Sequence, residues 1–383
     1  MPNILCIAGA GSGKTHKIIT ESIAEIERGG KVLVVTYTTS NQNELRNRFK
    51  EVYGKFSSRF VVKGLFSFYL EDMVRPYQRA LFQRRINEIF FNDRNPHLPP
   101  KSKFPYPGRQ EQLGDKNYNP RHFLTACETK VHTGFLAKLA TRIAKSTKNS
   151  AGVRLSEIYS RVYFDEVQDL VGWDYDVLKV LSKTMKSPVS CVGDFRQTVY
   201  ETSFGHKKPQ TAQEKIAAFK DMGFGLESLP LNRRCIQAIC NIADEVHKGA
   251  YEQTKSGVED VPAEFAHHIG AFIVKHSDVA TYIATYDPIV LRWQVNSGKK
   301  ILPEGVLCYT FGSSKGLGFD RIMILPAESQ EHFILDDNPV FLSTAETSQN
   351  KMYVAITRAR YSIGFIVKDE QAEGLRFPIW TRP

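Results

Sequence analysis

The chain has 383 residues, of which 42% are hydrophobic and 24% are charged, and its net charge is +10. This composition excludes a disordered chain, and the length suffices for two or three domains with their own cores. The apolar runs have only strand length, which excludes a membrane-spanning helix, and the basic excess favours a polyanionic partner.

The N-terminus and the cysteines indicate the cellular compartment. The first residues, "MPNILC", lack a basic region followed by an apolar stretch, so no secretory signal is expected. The six cysteines are scattered, and Cys235 and Cys240 have no second pair or histidine cluster to complete a zinc site. We therefore expect reduced thiols in a cytoplasmic protein.

The first half of the chain alternates strand and helix patterns. Residues 3–8 predict a buried strand, followed by a glycine-rich loop, a helix to about Glu27 and a second buried strand in "KVLVVT". This order is typical of a parallel sheet covered by helices. Helical spacing predicts a helix over 74–91, and the composition of 92–121 predicts a long loop or a partly disordered insertion.

The second half continues the alternation. "RVYFDEVQDL" and "SPVSCVGDFRQTVY" predict buried strands that end in polar residues. A new series of helices and strands follows "LPLNRRC" and ends with a helix in "NKMYVAITRARY" and a strand in "SIGFIV". We predict two α/β domains, residues 1–225 and 226–383, with a reduced insertion within about 75–155 of the first.

The stretch "AGAGSGKT" fits a phosphate-binding loop. Gly9, Gly11 and Gly13 allow the tight turn that points N–H groups at phosphate oxygens. Lys14 would reach the β- and γ-phosphates, and the Thr15 hydroxyl would hold Mg²⁺. The alternative is a glycine-rich turn with a chance Lys-Thr pair. The motif predicts binding of a nucleoside triphosphate but says little about function.

The acidic end of "VYFDEVQD" supplies groups for hydrolysis. The strand Val162–Phe164 delivers Asp165 and Glu166 at its carboxyl end, where ligands of α/β proteins bind. Asp165 would hold Mg²⁺ through water, and Glu166 would polarise the attacking water. Alone, such a motif is more often a solvated loop; together with "GSGKT" it predicts a hydrolysis site.

The order of the motifs resembles that of one helicase family. "AGAGSGKT", "VVTYTTSNQNELRNRF", "YFDEVQDL", "VGDFRQTVY", "LPLNRRC", "TFGSSKGLGFD" and "YVAITRAR" follow one another as in the UvrD/Rep/PcrA group of superfamily 1 helicases. The resemblance spans residues 4–360. It implies two tandem RecA-like P-loop domains that enclose ATP and Mg²⁺ and move 3′→5′ along single-stranded DNA.

The resemblance also implies roles for single residues. Gln197 matches the glutamine that senses the γ-phosphate, and Arg234 and Arg358 match the two arginines that reach the nucleotide from the second domain. In isolation Arg358 would be read as a surface helix arginine. The expected nucleotide-binding residues are Ala10, Gly11, Ser12, Gly13, Lys14, Thr15 and Arg233, and the expected catalytic residues are Lys14, Asp165, Glu166, Gln197, Arg234 and Arg358.

For the DNA, the resemblance implies contacts from aromatic residues. Tyr37 matches a base-stacking aromatic, Tyr200 lies where the motif that contains Gln197 meets the DNA strand, and Phe66 replaces a histidine that the family usually has. Core packing is the alternative for each of them. The basic segment 75–94 would either track phosphates or form a solvated face.

The sequence departs from the family pattern at four places. No glutamine-containing segment precedes the phosphate loop, and Arg233 replaces a base-stacking tyrosine. Gly318 replaces a glutamate that contacts the ribose, and Gly312 replaces a common histidine. The stretch 236–309 is too short for the usual second-domain insertion. We expect altered nucleotide selectivity and dependence on a partner for duplex engagement.

Two functions remain open at this level. The first is an ATP-hydrolysing 3′→5′ DNA translocase or helicase that binds single-stranded DNA or a junction with duplex. The second is a nucleotide-switch subunit, for example beside a nuclease in a phage-defence complex. The intact Lys14, Glu166, Gln197 and Arg358 favour turnover, and a small-molecule kinase is excluded because it has no use for the later motifs.

Overall fold

The computed structural model describes residues 2–92, 94–101, 104–198, 207–335 and 339–382. Of these, residues 2–7, 14–193 and 207–227 form a first compact unit, and residues 8–13, 194–198 and 228–382 form a second. The predicted boundary at 225/226 lies two residues before the change of unit at Glu227. In the described part of the chain, no helix is long and apolar enough to cross a membrane.

The first unit is built on a six-stranded sheet with the order β3-β2-β6-β7-β1-β8. Five of these strands, β1, β2, β3, β6 and β7, pair in parallel. The strands of the unit are β1 Ile4–Ala8, β2 Val32–Thr36, β3 Phe60–Gly64, β4 Glu88–Phe90, β5 Lys130–His132, β6 Arg161–Asp165, β7 Val189–Gly193 and β8 Gly225–Leu229.

Helices cover this sheet and are held by apolar stripes. In the first helix, Ile18, Ile19 and Ile26 are buried together with Ser22, whose hydroxyl donates to the Ile18 carbonyl at 2.6 Å. The helices of the unit are α1 Lys14–Glu27, α2 Thr39–Tyr53, α3 Leu65–Phe68, α4 Pro120–Phe123, α5 Thr133–Ser146, α6 Ser150–Ile158, α7 Trp173–Thr184 and α8 Ala212–Asp221.

The register of the sheet places the functional segments at one edge. All residues of β2 and β7 are buried, as expected for central strands of a covered parallel sheet. Val35 pairs with Phe164, and Asp165 pairs with Val192. Because parallel strands end at the same edge, Thr36, Asp165 and Gly193 lie there together.

The predicted helix over 74–91 is wrong. The segment contains a π-helical turn that ends at Val74, a 3₁₀ turn at Gln78–Ala80 and strand β4, which pairs with β5. The side chains of Gln78 and Arg75 bind the backbone of Ile86 at 3.0 and 3.1 Å. Buried Phe82 and Ile86 have helical spacing, but these long-range bonds and Pro76 favour an irregular path.

The predicted long loop after this segment is confirmed for the described residues. From 94 to 119 these residues form turns and one isolated bridge, between Gln112 and Tyr118. The side chain of Asn119 organises them, since it donates to the carbonyl oxygens of Gly108 and Gln110, each at 2.9 Å. The insertion is therefore ordered by side-chain bonds to backbone rather than by regular elements.

The second unit has its own parallel sheet, with the order β11-β15-β14-β12-β13. Its core includes Ile273, Leu291, Ile322 and Ile363, which are fully buried. Its elements are β9 Leu231–Asn232, α9 Gln237–Glu245, β10 Lys255–Ser256, α10 Ala263–Ala266, β11 Gly270–Lys275, α11 Val279–Tyr286, β12 Ile289–Arg292, β13 Cys308–Thr310, β14 Phe319–Leu325, α12 Glu328–Ile334, α13 Pro339–Leu342, α14 Glu346–Ile356 and β15 Ala359–Val367. The predicted fold class, two α/β units with parallel sheets, is confirmed.

A buried histidine of the second unit predicts a loss of stability in acid. His268 is 3% exposed and stacks on Tyr286 at 4.0 Å and on Phe272 at 4.2 Å. Burial, followed by the charge of Arg321, lowers the pKa of His268 to about 4. An unfolded histidine binds its proton near pH 6.5. As the pH falls from about 6.5 to about 4, His268 therefore lowers the free energy of unfolding by about 1.4 kcal/mol for each pH unit.

Urea denaturation between pH 7 and pH 5 measures this effect. We expect His268→Phe, which keeps an aromatic ring in the stack, to make the free energy of unfolding less dependent on pH by one proton. The exposed neighbour His267, changed to Gln, is the control and should leave the slope unaltered. An unchanged slope in His268→Phe would contradict the neutral state of this ring.

Candidate functional site

The glycine-rich loop has the backbone that only glycine adopts easily. Gly11 and Gly13 have φ angles of +67° and +84°. A Cβ atom on Gly9 would lie 2.6 Å from Nη2 of Arg196, so a side chain has no room there. Helix α1 begins at Lys14, and the N–H groups of its first turn lack partners within the helix. Such groups bind phosphate oxygens.

Residues 8–13 of the loop pack with the second unit. The backbone N–H of Ala10 donates to the Tyr353 hydroxyl at 3.2 Å, and the N–H of Arg233 donates to the Gly11 carbonyl at 2.9 Å. The buried Ser12 Oγ has no hydrogen-bond partner among the described residues. A buried hydroxyl of this kind fits a bound oxyanion, which would satisfy it.

Two adjacent carboxyl groups lie at the carboxyl end of strand β6 in the first unit, where Asp165 is the last residue of the strand and Glu166 follows it. Asp165 is 8% exposed and accepts a hydrogen bond from the Thr36 hydroxyl at 3.4 Å. Burial, and then the charge of Glu166, raises the pKa of Asp165 to about 7, while Lys14 opposes the rise. The site therefore holds more negative charge than its own lysine neutralises, which favours a bound cation.

Glu166 is held in a conformation that few non-glycine residues adopt. Its φ and ψ angles are +56° and +42°, in the left-handed region. The amide nitrogen of Gln168 donates to Glu166 Oε2. Strained backbone of this kind persists where the surroundings hold it, and it concentrates at functional sites.

Lys215 stabilises the turn at Glu166–Gln168, and the sequence analysis did not predict this role. Its side chain is fully buried, and its ammonium group donates to the Gln168 carbonyl at 2.6 Å. Gln168 lies inside the motif "YFDEVQDL", but the sequence pattern predicts no role for it. Lys215 lies on α8, far away in sequence, and no local pattern indicated it.

The oxygen donors of the first unit fit a magnesium ion. Mg²⁺ prefers carboxylate and hydroxyl oxygens and keeps several waters, and it is often completed by substrate phosphates. Asp165 and Thr15 offer these donors, and the negative charge of Glu166 next to Asp165 favours a cation. In the described ranges, no cluster of three or more histidine, cysteine, aspartate or glutamate side chains could hold a metal.

Gln197 lies in a buried polar network of the second unit. Its amide nitrogen donates to Asp194 Oδ2 at 2.7 Å. Arg196 pairs with Asp194 at 3.1 Å and with Asp244 at 3.3 Å, and its guanidinium lies 4.7 Å from the centre of the Tyr353 ring. Burial opposes the charge of Arg196, but Tyr353 and Asp194 outweigh it and raise its pKa. Sequence reasoning gave Arg196 no role.

Arg358 is buried rather than on the surface of a helix. It is 1% exposed, and its guanidinium donates to the carbonyls of Val354 and Leu317, each at 2.9 Å. Burial, and then the like charge of Arg234, lowers the pKa of Arg358 to about 9. Two arginines that repel each other fit a site for an anion.

Arg234 and Arg233 differ in their surroundings. Arg234 is half-buried and donates to the Thr357 carbonyl at 3.3 Å, whereas Arg233 is exposed. A Cβ atom on Gly318 would lie 3.1 Å from Arg234 Nε. Gly318, which stands where a glutamate was expected, thus leaves room for the Arg234 side chain.

The aromatic residues that were predicted to bind DNA are partly exposed in the first unit. The rings of Tyr37 and Phe66 meet edge to face with their centres 5.8 Å apart. Tyr200 lies outside the described residues. The first unit also holds Lys14, Thr15, Asp165 and Glu166, and the second holds Gln197, Arg233, Arg234 and Arg358 with the loop residues Ala10, Gly11, Ser12 and Gly13.

Comparisons with known proteins bear on these segments. Residues 2–89 match the UvrD/REP helicase N-terminal domain. The Gabija protein GajB of Bacillus cereus (strain VD045) is 25% identical over 264 residues, which make up 67% of this chain and 48% of that protein. The chain thus spans about half the length of this curated relative. The predicted resemblance to UvrD-like superfamily 1 helicases is confirmed.

Two solved helicase structures also align with the chain at low identity. The structure of PRRSV helicase has a TM-score of 0.44 and 16% identity, and the alignment covers 100% of this chain and 56% of that one. The complex of arterivirus nonstructural protein 10 (helicase) with DNA has a TM-score of 0.44 and 14% identity, with 97% and 62% covered. The chain spans less than two thirds of each.

Proposed function

We propose, from its relationship to the UvrD-like superfamily 1 helicases, that this chain is a nucleic-acid-stimulated ATPase that acts as a 3′→5′ DNA translocase or helicase. The observation that carries the proposal is the first unit's pair of carboxyl groups. Asp165 ends the buried strand β6 and Glu166 follows it. Strand β1 of the same sheet leads into the glycine-rich loop, after which α1 begins at Lys14. This unit includes most of the segment that matches the UvrD/REP helicase N-terminal domain.

In this proposal the first unit binds the triphosphate and activates water. The N–H groups at the start of α1 and the Lys14 ammonium bind the phosphates. Mg²⁺, held by Thr15 and Asp165, would neutralise charge on the β- and γ-phosphates. Glu166 accepts a hydrogen bond from the attacking water, and Gln168 and Lys215 keep its carboxylate in place.

The second unit contributes positive charge and a sensor. Arg234 and Arg358 stabilise the charge that spreads over the γ-phosphoryl oxygens. Gln197 reports the state of that phosphate, and its bond to Asp194 gives it a defined resting position. Arg233 in place of a tyrosine and Gly318 in place of a glutamate support relaxed nucleotide selectivity.

Tyr37 and Phe66 provide rings on which bases of single-stranded DNA stack. Such stacking does not depend on the DNA sequence, because every base has a flat aromatic face. The net charge of +10 supports a polyanionic ligand. The 3′→5′ direction, the choice of DNA over RNA and a cytoplasmic location come from the resemblance and the sequence, and they stay predictions.

The test is the rate of ATP, GTP and dATP hydrolysis with and without oligo(dT). We expect a marked rise on adding the oligonucleotide, and we expect Lys14→Ala to lose the activity because the phosphates lose their main cation. Lys50→Ala, an exposed lysine on α2, is the matched control and should behave as the native chain. Displacement of streptavidin from the 3′ or the 5′ end of an oligonucleotide gives the direction.

A hydrolysis rate that does not change on adding oligo(dT) would contradict the proposed translocase or helicase. The second candidate would then remain, a nucleotide-switch subunit of a larger complex such as one with a nuclease. The short second unit favours this candidate. The described elements between residues 236 and 309 are the unit's own strands and helices, without an inserted domain to engage duplex.

A further inference from the structure

A third aromatic ring continues the pair formed by Tyr37 and Phe66. The ring of Phe91 meets Phe66 edge to face with the centres 6.0 Å apart, close to the 5.8 Å between Tyr37 and Phe66. Phe91 comes from the insertion, directly after strand β4. The three rings therefore form one strip on the first unit, named here the aromatic strip.

Phe91 is exposed although its backbone is well anchored. Its side chain is 69% exposed. The buried Thr133, at the start of α5, donates to the Phe90 carbonyl at 3.4 Å and to the Asn92 side-chain oxygen at 3.3 Å. Pairing of Phe90 with His132 fixes the preceding residue. A large apolar ring that is presented to water on a fixed backbone is typical of a binding surface.

The charges near Phe91 indicate what this surface binds. Residues 79–94 include four arginines, all of them exposed, against Glu88 and Asp93. Glu88 is already paired with Lys130 at 2.6 Å. Exposed arginines in the same segment as an exposed ring match single-stranded nucleic acid, whose bases stack on rings while its phosphates attract cations.

We propose that Phe91 is a base-stacking residue and that the aromatic strip binds successive bases of single-stranded nucleic acid. This inference rests on the proposed function and adds a ring from the insertion. The insertion thereby takes part in substrate binding instead of serving only as a spacer. A protein partner on the same strip is the competing occupant.

The experiment measures the binding of fluorescent oligo(dT) by anisotropy. We expect Phe91→Ala to weaken the affinity by about 5- to 150-fold, the range found when one stacking ring is removed. Phe56→Ala is the matched control, since Phe56 is 86% exposed and is not one of the three rings of the aromatic strip. Phe91→Trp should retain binding, and its added emission should be quenched by the oligonucleotide.

The outcomes separate the two proposals. If the native chain binds oligo(dT) and Phe91→Ala binds equally well, the role of Phe91 is overturned while the proposed function stands. An unquenched Phe91→Trp also counts against stacking. If the native chain binds no oligonucleotide, both the proposed function and the proposed role of the aromatic strip are contradicted. Because Phe91 is exposed, the Ala variant is expected to fold normally.

Discussion

Replacement of Glu166 by Gln is expected to lower the rate of ATP hydrolysis by about 10²- to 10⁴-fold while ATP binding is kept. The amide has the size of the carboxylate but cannot accept a proton from water. Glu166 already has a left-handed backbone, and Gln168 donates to its side chain. The substitution therefore removes the base without altering the strained turn that presents it.

Single-turnover hydrolysis and fluorescent-nucleotide binding, measured side by side, check this expectation. Glu157→Gln, on the exposed face of α6 in the same unit, makes the same chemical change away from the site and should leave both quantities unaltered. If Glu166→Gln hydrolyses ATP at the native rate, then Glu166 is not the base. If it no longer binds ATP, the turn has a structural role instead.

Replacement of Arg234 by Ala is expected to lower kcat by about 10³-fold or more, the effect of removing an arginine that stabilises the γ-phosphoryl group. Arg234 is the sharper probe of the two arginines because it is half-buried, whereas Arg358 is 1% exposed. Its loss should therefore change the rate far more than the stability. Rates at saturating ATP, with melting temperatures beside them, measure both.

The buried Arg358 should behave differently. Its guanidinium donates to the carbonyls of Val354 and Leu317, so Arg358→Ala leaves buried acceptors unsatisfied and should lower both the stability and the rate. Arg360→Ala is the control for both arginines, since its pair with Asp320 is largely exposed. An Arg234→Ala variant with the native kcat would remove that residue from the catalytic set.

Local pattern determined much of this fold. The buried strands at 32–36 and 189–193 are visible as apolar runs, and glycines mark the positive φ angles of the loop before Lys14. Asp165 and Glu166 could be found because the acidic residues directly follow such a strand. These features depend on neighbours in the chain, and backbone sterics and burial act on them over a few residues.

Other features depend on contacts between distant residues. The spacing of Phe82 and Ile86 suits a helix, but pairing of β4 with β5 decides the path of that segment. Lys215 supports the turn after Asp165 from a helix 47 positions beyond Gln168. Nothing in either local sequence records these partners.

The sequence by itself thus determined the two α/β units, the glycine-rich turn before Lys14 and the acidic strand end, because each follows from short-range periodicity and backbone geometry. Only the tertiary structure decided that Arg358 is buried beside Arg234 and that Phe91 lies against Phe66. The physical reason is that burial and ring contacts arise when chain segments far apart in sequence pack together. Their energies depend on the whole fold rather than on the residues next to them.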